Sequence, residues 1–160
     1  MSILTILRPA QPNDCEHIYN AHEYAVQYTC RRSYDETVLE AWRELLYPES
    51  YLDTIASSYR ELWVAEYKGH IQGFFQLDLQ EAQLDALYVH PFVHNHGLGT
   101  ALLQKAESLA EAAGQTFVKL YASLNSIGFY QLNGYDRLGA AELSLNPSVS
   151  VKCELMRKYL

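Results

Sequence analysis

The tightest constraint in this chain of 160 residues is a strand, a glycine-containing turn and a helix, in that order, over residues 84–114. Leu84-Asp85-Ala86-Leu87-Tyr88-Val89 has the composition of a strand and runs into His90-Pro91, where proline cannot continue a central ladder. Beyond it, Leu98, Ala101, Leu102, Leu109 and Ala113 fall on one face of a helix that Gly114 ends. A further strand, Thr116 to Ala122, follows directly. A strand, a crossover helix and a strand predict a parallel pair within one sheet.

The first N–H groups of that helix have no partners within it and point into the turn His94-Asn95-His96-Gly97-Leu98-Gly99-Thr100. Glycine at two positions lets the backbone approach phosphate oxygens, and the helix dipole adds partial positive charge there. On spacing alone, the same glycines serve a tight strand-to-helix connection equally well. Two rival phosphate motifs are excluded. A dinucleotide fingerprint needs glycine or alanine where Leu102 stands, and a Walker A loop needs Gly-Lys-Ser/Thr.

Around this unit, Leu4 to Arg8 predicts a strand, and Asn13 with Glu16 caps a first helix reaching about Tyr28. Ser33 and Glu36 repeat that spacing before a second helix whose apolar face is Val38, Leu39, Trp42, Leu45 and Leu46, closed by Pro48. Tyr51, Leu52 and Ile55 suggest a short third. Leu62–Tyr67, the turn Lys68-Gly69 and Ile71–Leu79 form a β-hairpin. Ile127 to Leu132 is a short helix, and two strands from Tyr135 onward are separated near Asn146-Pro147. The expected fold is α+β (mixed α/β): residues 1–160 as a single domain, with a central, mostly antiparallel, six- to seven-stranded sheet and helices on both faces. At 49% hydrophobic content the chain can bury a continuous core unaided.

With 12 Lys+Arg against 19 Asp+Glu, a formal charge of -7, the chain repels phosphate backbones and draws cations. Nucleic acid is not expected as a partner on that ground, and an amine is favoured. Cys15, Cys30 and Cys153 are scattered and in no CxxC spacing, so neither disulfides nor zinc are expected. No metal is expected at His90, His94 and His96 either, which lie in a loop without a recognised ligand set. No Gly-x-Ser-x-Gly elbow is present. The start Met1 to Arg8 lacks the pattern of a signal peptide, and no stretch is long enough to span a bilayer, so a cytoplasmic protein without membrane partners is expected.

Three segments together resemble the GNAT (GCN5-related N-acetyltransferase) superfamily over most of the chain. Leu84 to Pro91 resembles its splayed fourth strand. His94 to Leu103 resembles its pyrophosphate motif (Arg/Gln)-x-x-Gly-x-(Gly/Ala). Ile127-Gly128-Phe129-Tyr130-Gln131-Leu132-Asn133-Gly134-Tyr135 resembles its ending Ala-Ile-x-x-Tyr-x-x-x-Gly-Phe. The departures are His94 at the usual Arg or Gln, Asn95 and His96 where glycine or arginine is common, and Tyr135 for the final Phe. Ser123 replaces a common Asn, with Asn125 two residues later.

The resemblance implies an acyl-CoA-dependent N-acyltransferase (EC 2.3.1 type) that moves the acetyl group of acetyl-CoA directly to an amine on a small molecule or peptide. It implies that Leu87, Tyr88 and Val89 offer free backbone groups to the pantetheine arm, with the Val89 N–H on the acyl carbonyl. The turn from His94 to Thr100 would hold the pyrophosphate, and either Ser123 or Asn125 would bond the coenzyme. Tyr130 is placed beside the sulfur as general acid. A phenol (pKa about 10) is slightly less acidic than a thiol (about 8.5), so a hydrogen bond to the thiolate can replace full transfer. The family's acidic position near the start of the fourth strand is Gln83 here, leaving Glu66, Glu81 and Asp85 as candidate bases. The acceptor is expected against Ala21 to Tyr59, where Tyr24, Tyr28, Tyr34, Trp42, Tyr47, Tyr51 and Tyr59 cluster. The alternative from another class is a CoA-binding regulator of the same fold without turnover. Either is expected to be a monomer or homodimer.

Overall fold

The structure, a computed structural model, describes residues 4–94 and 96–160. Seven strands form one sheet: β1 (Thr5–Pro9), β2 (Arg60–Tyr67), β3 (His70–Asp78), β4 (Gln83–Val89), β5 (Phe117–Ser123), β6 (Asp136–Asn146) and β7 (Val149–Tyr159), ordered β1-β2-β3-β4-β5-β7-β6. Among the described residues five α-helices accompany it: α1 (Cys15–Tyr24), α2 (Glu36–Glu44), α3 (Leu52–Ala56), α4 (Leu98–Ala112) and α5 (Ile127–Leu132). Every pairing is antiparallel except β4 with β5, the pair joined through α4. The expected α+β architecture is the observed one, with seven strands.

The two faces of the sheet carry separate cores. On one, Leu102, Leu103, Ala106 and Ala110 of α4 pack on Phe75, Leu77, Leu84, Leu120 and Met156. On the other, Ile18 of α1 and Tyr51 meet Leu62, Val64 and Phe74, and Val26, Cys30 and Leu39 form a third cluster that Trp42 and Tyr88 join. Helices on opposite faces leave the sheet between them as the one layer both sides touch.

The helix starts differ from the expected caps. The first begins with a 3-10 turn at Pro12–Asp14, and the Asp14 carboxylate accepts the Gln11 N–H at 2.7 Å, so Asn13 and Glu16 are not the capping pair. Asp14 also binds Arg8 at 2.7 Å, which holds its carboxyl below the usual range and fixes it as an acceptor. The second helix is capped by Asp35, which accepts the Val38 N–H at 3.0 Å, rather than by Ser33. α1 also stops at Tyr24, four residues short of expectation, and passes into a π-helical turn, Ala25–Thr29, closed by the Cys30 N–H on the Ala25 carbonyl. Pro48 opens a 3-10 turn, Pro48–Tyr51, four residues beyond the end of α2.

Candidate active site

Strands β4 and β5 share only two rungs, Gln83 with Lys119 and Leu84 with Leu120. β5 keeps seven antiparallel rungs with β7 on its other edge, so it is β4 that departs. The cause lies in β4 itself. Against β3, Leu84 faces Leu77 and Ala86 faces Gln76, which leaves Asp85 as an extra residue. Such a bulge bends its strand and raises the local twist. The bend falls one residue after the last rung to β5.

The resulting gap is a cleft of about 430 Å³ that opens between the helix layers. Leu87, Tyr88 and Val89 form one wall and Leu120 to Ser123 the other, while Gly97 to Thr100 and Tyr130 close it on the α4 side. Ala25, Thr29 and Cys30 of the π-turn region line it on the α1 side.

Backbone polarity along β4 follows from pairing. The His90 N–H bonds the Gln72 carbonyl at 2.6 Å, so the adjacent Val89–Gly73 pair is of the non-bonded kind. Val89 therefore turns its N–H and C=O away from β3 and into the gap, and Leu87 does the same two residues earlier. The Val89 carbonyl already accepts from His94 Nε2 at 3.1 Å, leaving the N–H as the available group.

At the mouth, Gly97 has φ of 79°, a left-handed conformation that β-carbons disfavour, and precedes α4 as its cap. A Cβ on Gly99 would meet the Phe129 ring at 3.2 Å, so glycine lets the first turn of α4 lie against α5. The turn thus presents backbone N–H groups and a helix dipole, an anion-binding geometry. His94 lines the cleft, whereas the exposed His96 packs at a tilt against Tyr67 with ring centroids 5.1 Å apart. Asn95 lies outside the described residues.

Tyr130 is buried in the core formed with α4, against Phe129 and Tyr135, and reaches the cleft. Burial pushes its hydroxyl above the ordinary tyrosine range, which keeps the proton on oxygen at neutral pH. Ser123 and Asn125 both line the cleft, as does Cys30, and the Ser123 hydroxyl is 2.9 Å from that of Ser126. Burial pushes the Cys30 thiol up to about 12, so Cys30 is not a nucleophile at neutral pH.

Of the three candidate carboxylates, only Asp85 lines the cleft. Asp85 is exposed on the cleft side; its carboxyl is raised, first by partial desolvation and then by Asp78, and Gln83 donates to it at 3.0 Å. Glu66 instead bonds Arg8 at 3.1 Å, in a separate depression with Asp14 and His17, and Glu81 lies 3.8 Å from Lys119. The expected aromatic lining is largely absent. Tyr51 is packed in the core, Trp42 rests on Tyr88, and Tyr34 ties the chain together by donating to the Lys152 carbonyl and accepting the Leu124 N–H. Tyr24 and Tyr28 stack on each other at 5.6 Å at the surface. Sequence reasoning singled out neither Thr29 nor Tyr121 as cleft residues; no spacing marks a π-turn or the flank of a gap.

The model of the acetyltransferase (GNAT) domain matches residues 30–145. The chain belongs to the GNAT acetyltransferase family. Among solved structures, it is similar to a GCN5-related N-acetyltransferase from Rhodopseudomonas palustris, with TM-score 0.86, 26% identity, and 100% of this chain and 98% of that one covered. It is similar also to PaiA N-acetyltransferase from Thermoplasma acidophilum in complex with coenzyme A, with TM-score 0.80, 25% identity and both chains covered in full. The fold of YncA from Salmonella typhimurium, solved with acetyl-CoA, matches at TM-score 0.66 and 21% identity, over 98% of this chain and 94% of that one. A search of curated protein sequences found no match.

Proposed function

We propose that this GNAT protein transfers the acetyl group of acetyl-CoA directly to an amine acceptor. The observation that carries the reading is the gap between β4 and β5, with the outward-turned Val89 N–H on one wall and Tyr130 at its side. The PaiA and YncA structures, which hold coenzyme A and acetyl-CoA, support the donor.

In this reading the α4 N-terminus, with Gly97, Leu98, Gly99 and Thr100, takes the pyrophosphate, and the pantetheine arm lies along Leu87 to Val89. Ser123 and Asn125 flank the arm from β5. The Val89 N–H polarises the thioester carbonyl and receives the oxyanion as the amine nitrogen attacks. The C–N bond forms and the C–S bond breaks, leaving the electron pair on sulfur. Asp85 lies four extended residues, about 13 Å, from Val89 and takes the proton the amine loses through water in the gap; its raised carboxyl is a better base toward an ammonium than an ordinary aspartate. Tyr130 donates a hydrogen bond to the thiolate. Because burial raises the phenol further above a thiol, the donation stops at a hydrogen bond rather than a completed transfer.

The test follows free thiol on incubation with acetyl-CoA and a panel of amines, beside calorimetric titration with coenzyme A. Thiol release that requires an amine is the expected result. Binding with no release on any amine would select the regulator, and no binding would remove both.

A further inference from the structure

The cleft carries an uneven charge. Among the described residues that line it, Asp85 is the only acidic side chain, and there is neither lysine nor arginine. The hydrogen-bond partner of its carboxylate is the neutral amide of Gln83. Two charged groups act on it, Asp78 of the adjacent β3 and Arg60 of β2 beyond it, and Asp78 outweighs Arg60. Glu81, nearby, is matched by Lys119 at 3.8 Å, so that lysine is not free to offset Asp85. The whole chain adds a charge of -7.

Position sharpens the point. Asp85 is the bulged residue at the closed end of the gap, next to the last β4–β5 rung. The anion-binding geometry, at Gly97 to Thr100, is at the opposite end of β4. A donor with its phosphates there leaves Asp85 as the fixed charge an acceptor meets. An acceptor carrying a carboxylate or phosphate beside its amine would be desolvated next to a like charge, with no cation to receive it. An acceptor carrying an extra ammonium would be drawn in.

Resting on the acetyl-transfer reading, we propose that the acceptor is an alkyl amine that carries no anionic group, that a second ammonium improves it, and that Asp85 sets this preference. A matched series isolates charge: 1-aminopentane, 1,5-diaminopentane, and lysine, which is the same diamine with a carboxylate on one terminal carbon. The expected order in kcat/KM is diamine, monoamine, lysine, with at least about tenfold between first and last. In Asp85→Asn, or at high salt, the ratio contracts to about threefold or less. Because Asp85→Asn also slows transfer if Asp85 is the base, the same three compounds are titrated calorimetrically into each protein loaded with coenzyme A. Lysine equal to or better than the diamine, a ratio unchanged by Asp85→Asn, or no binding of any of the three would overturn the proposal. Binding in the expected order without thiol release would uphold it while removing acetyl transfer.

Discussion

Gln83 donates its side-chain N–H to the Asp85 carboxylate at 3.0 Å, and between the two stands Leu84, the last residue of β4 that β5 holds. The pair thus brackets the point where the sheet divides. The amide steadies the carboxylate without neutralising it, and desolvation still raises its pKa.

That shift fixes the sign of one prediction. A folded-state acid with a raised pKa holds its proton at pH values where the unfolded chain has lost it, so stability falls as pH rises through that window and stays lower above it. Asp85 is exposed, so solvent screens most of this effect; Asp85→Asn should therefore raise the melting temperature only slightly at neutral pH, with the gain vanishing below about pH 3, where both states carry the proton. Acetyl transfer should fall by about a hundredfold in the same variant. Thermal melts at both pH values, with the thiol assay, check the pair; a lower melting temperature for the variant at neutral pH would contradict the raised carboxyl.

Tyr130→Phe keeps the ring contacts with Phe129 and Tyr135 and removes only the hydroxyl. Turnover should fall by about a hundredfold while the dissociation constant for coenzyme A stays within about twofold. Unchanged turnover would take Tyr130 out of the reaction.

Gly97 and Gly99 separate two causes. A methyl at Gly97 meets nothing within 4 Å, so Gly97→Ala tests the left-handed backbone alone, and a loss of about 1 kcal/mol in denaturant unfolding is expected. Gly99→Val drives into the Phe129 ring, which lines the cleft, and should weaken coenzyme A binding by about tenfold. Equal effects of the two on binding would show that steric contact at Phe129 is immaterial.

His22 is buried beneath Phe74 and Tyr88, and its Nδ1 lies 2.9 Å from the Tyr51 hydroxyl. Burial lowers its pKa to about 3. A depressed histidine binds fewer protons folded than unfolded, so its contribution is intact above about pH 6.5 and is lost as pH falls toward the folded value. The acid limb of stability should slope by about 1 kcal/mol per pH unit from this residue, and His22→Phe should flatten it. An unaltered limb would mean the ring is protonated in the folded chain.

The sequence showed the strand-turn-helix-strand unit because its parts have strong local causes: Pro91 and Gly114 stop elements, and one face of α4 repeats apolar residues. The short α5 and the Lys68-Gly69 hairpin were legible for the same reason. The caps were not, since Asn13, Asp14, Ser33 and Asp35 are all competent caps and the choice rests on tertiary partners such as Arg8. Nor could the candidate bases be sorted. Glu66, Glu81 and Asp85 are alike as letters, and only the path of the strands puts one in the cleft and the others beside Arg8 and Lys119. The aromatics between Ala21 and Tyr59 misled because rings that bind and rings that pack share one composition.

The bulge at Asp85 has the arithmetic of a spare stitch. From Gln76 to Gly73, each β3 residue already faces a β4 residue between Ala86 and Val89, and Leu77 already faces Leu84. Deleting Asp85 would therefore preserve every one of those partners and inner or outer facings while taking out the bend. The shortened β4 would be free to run on beside Tyr121 and Ala122, zipping shut the space between the strands. A chain one residue shorter should fold at least as well and bind no donor at all.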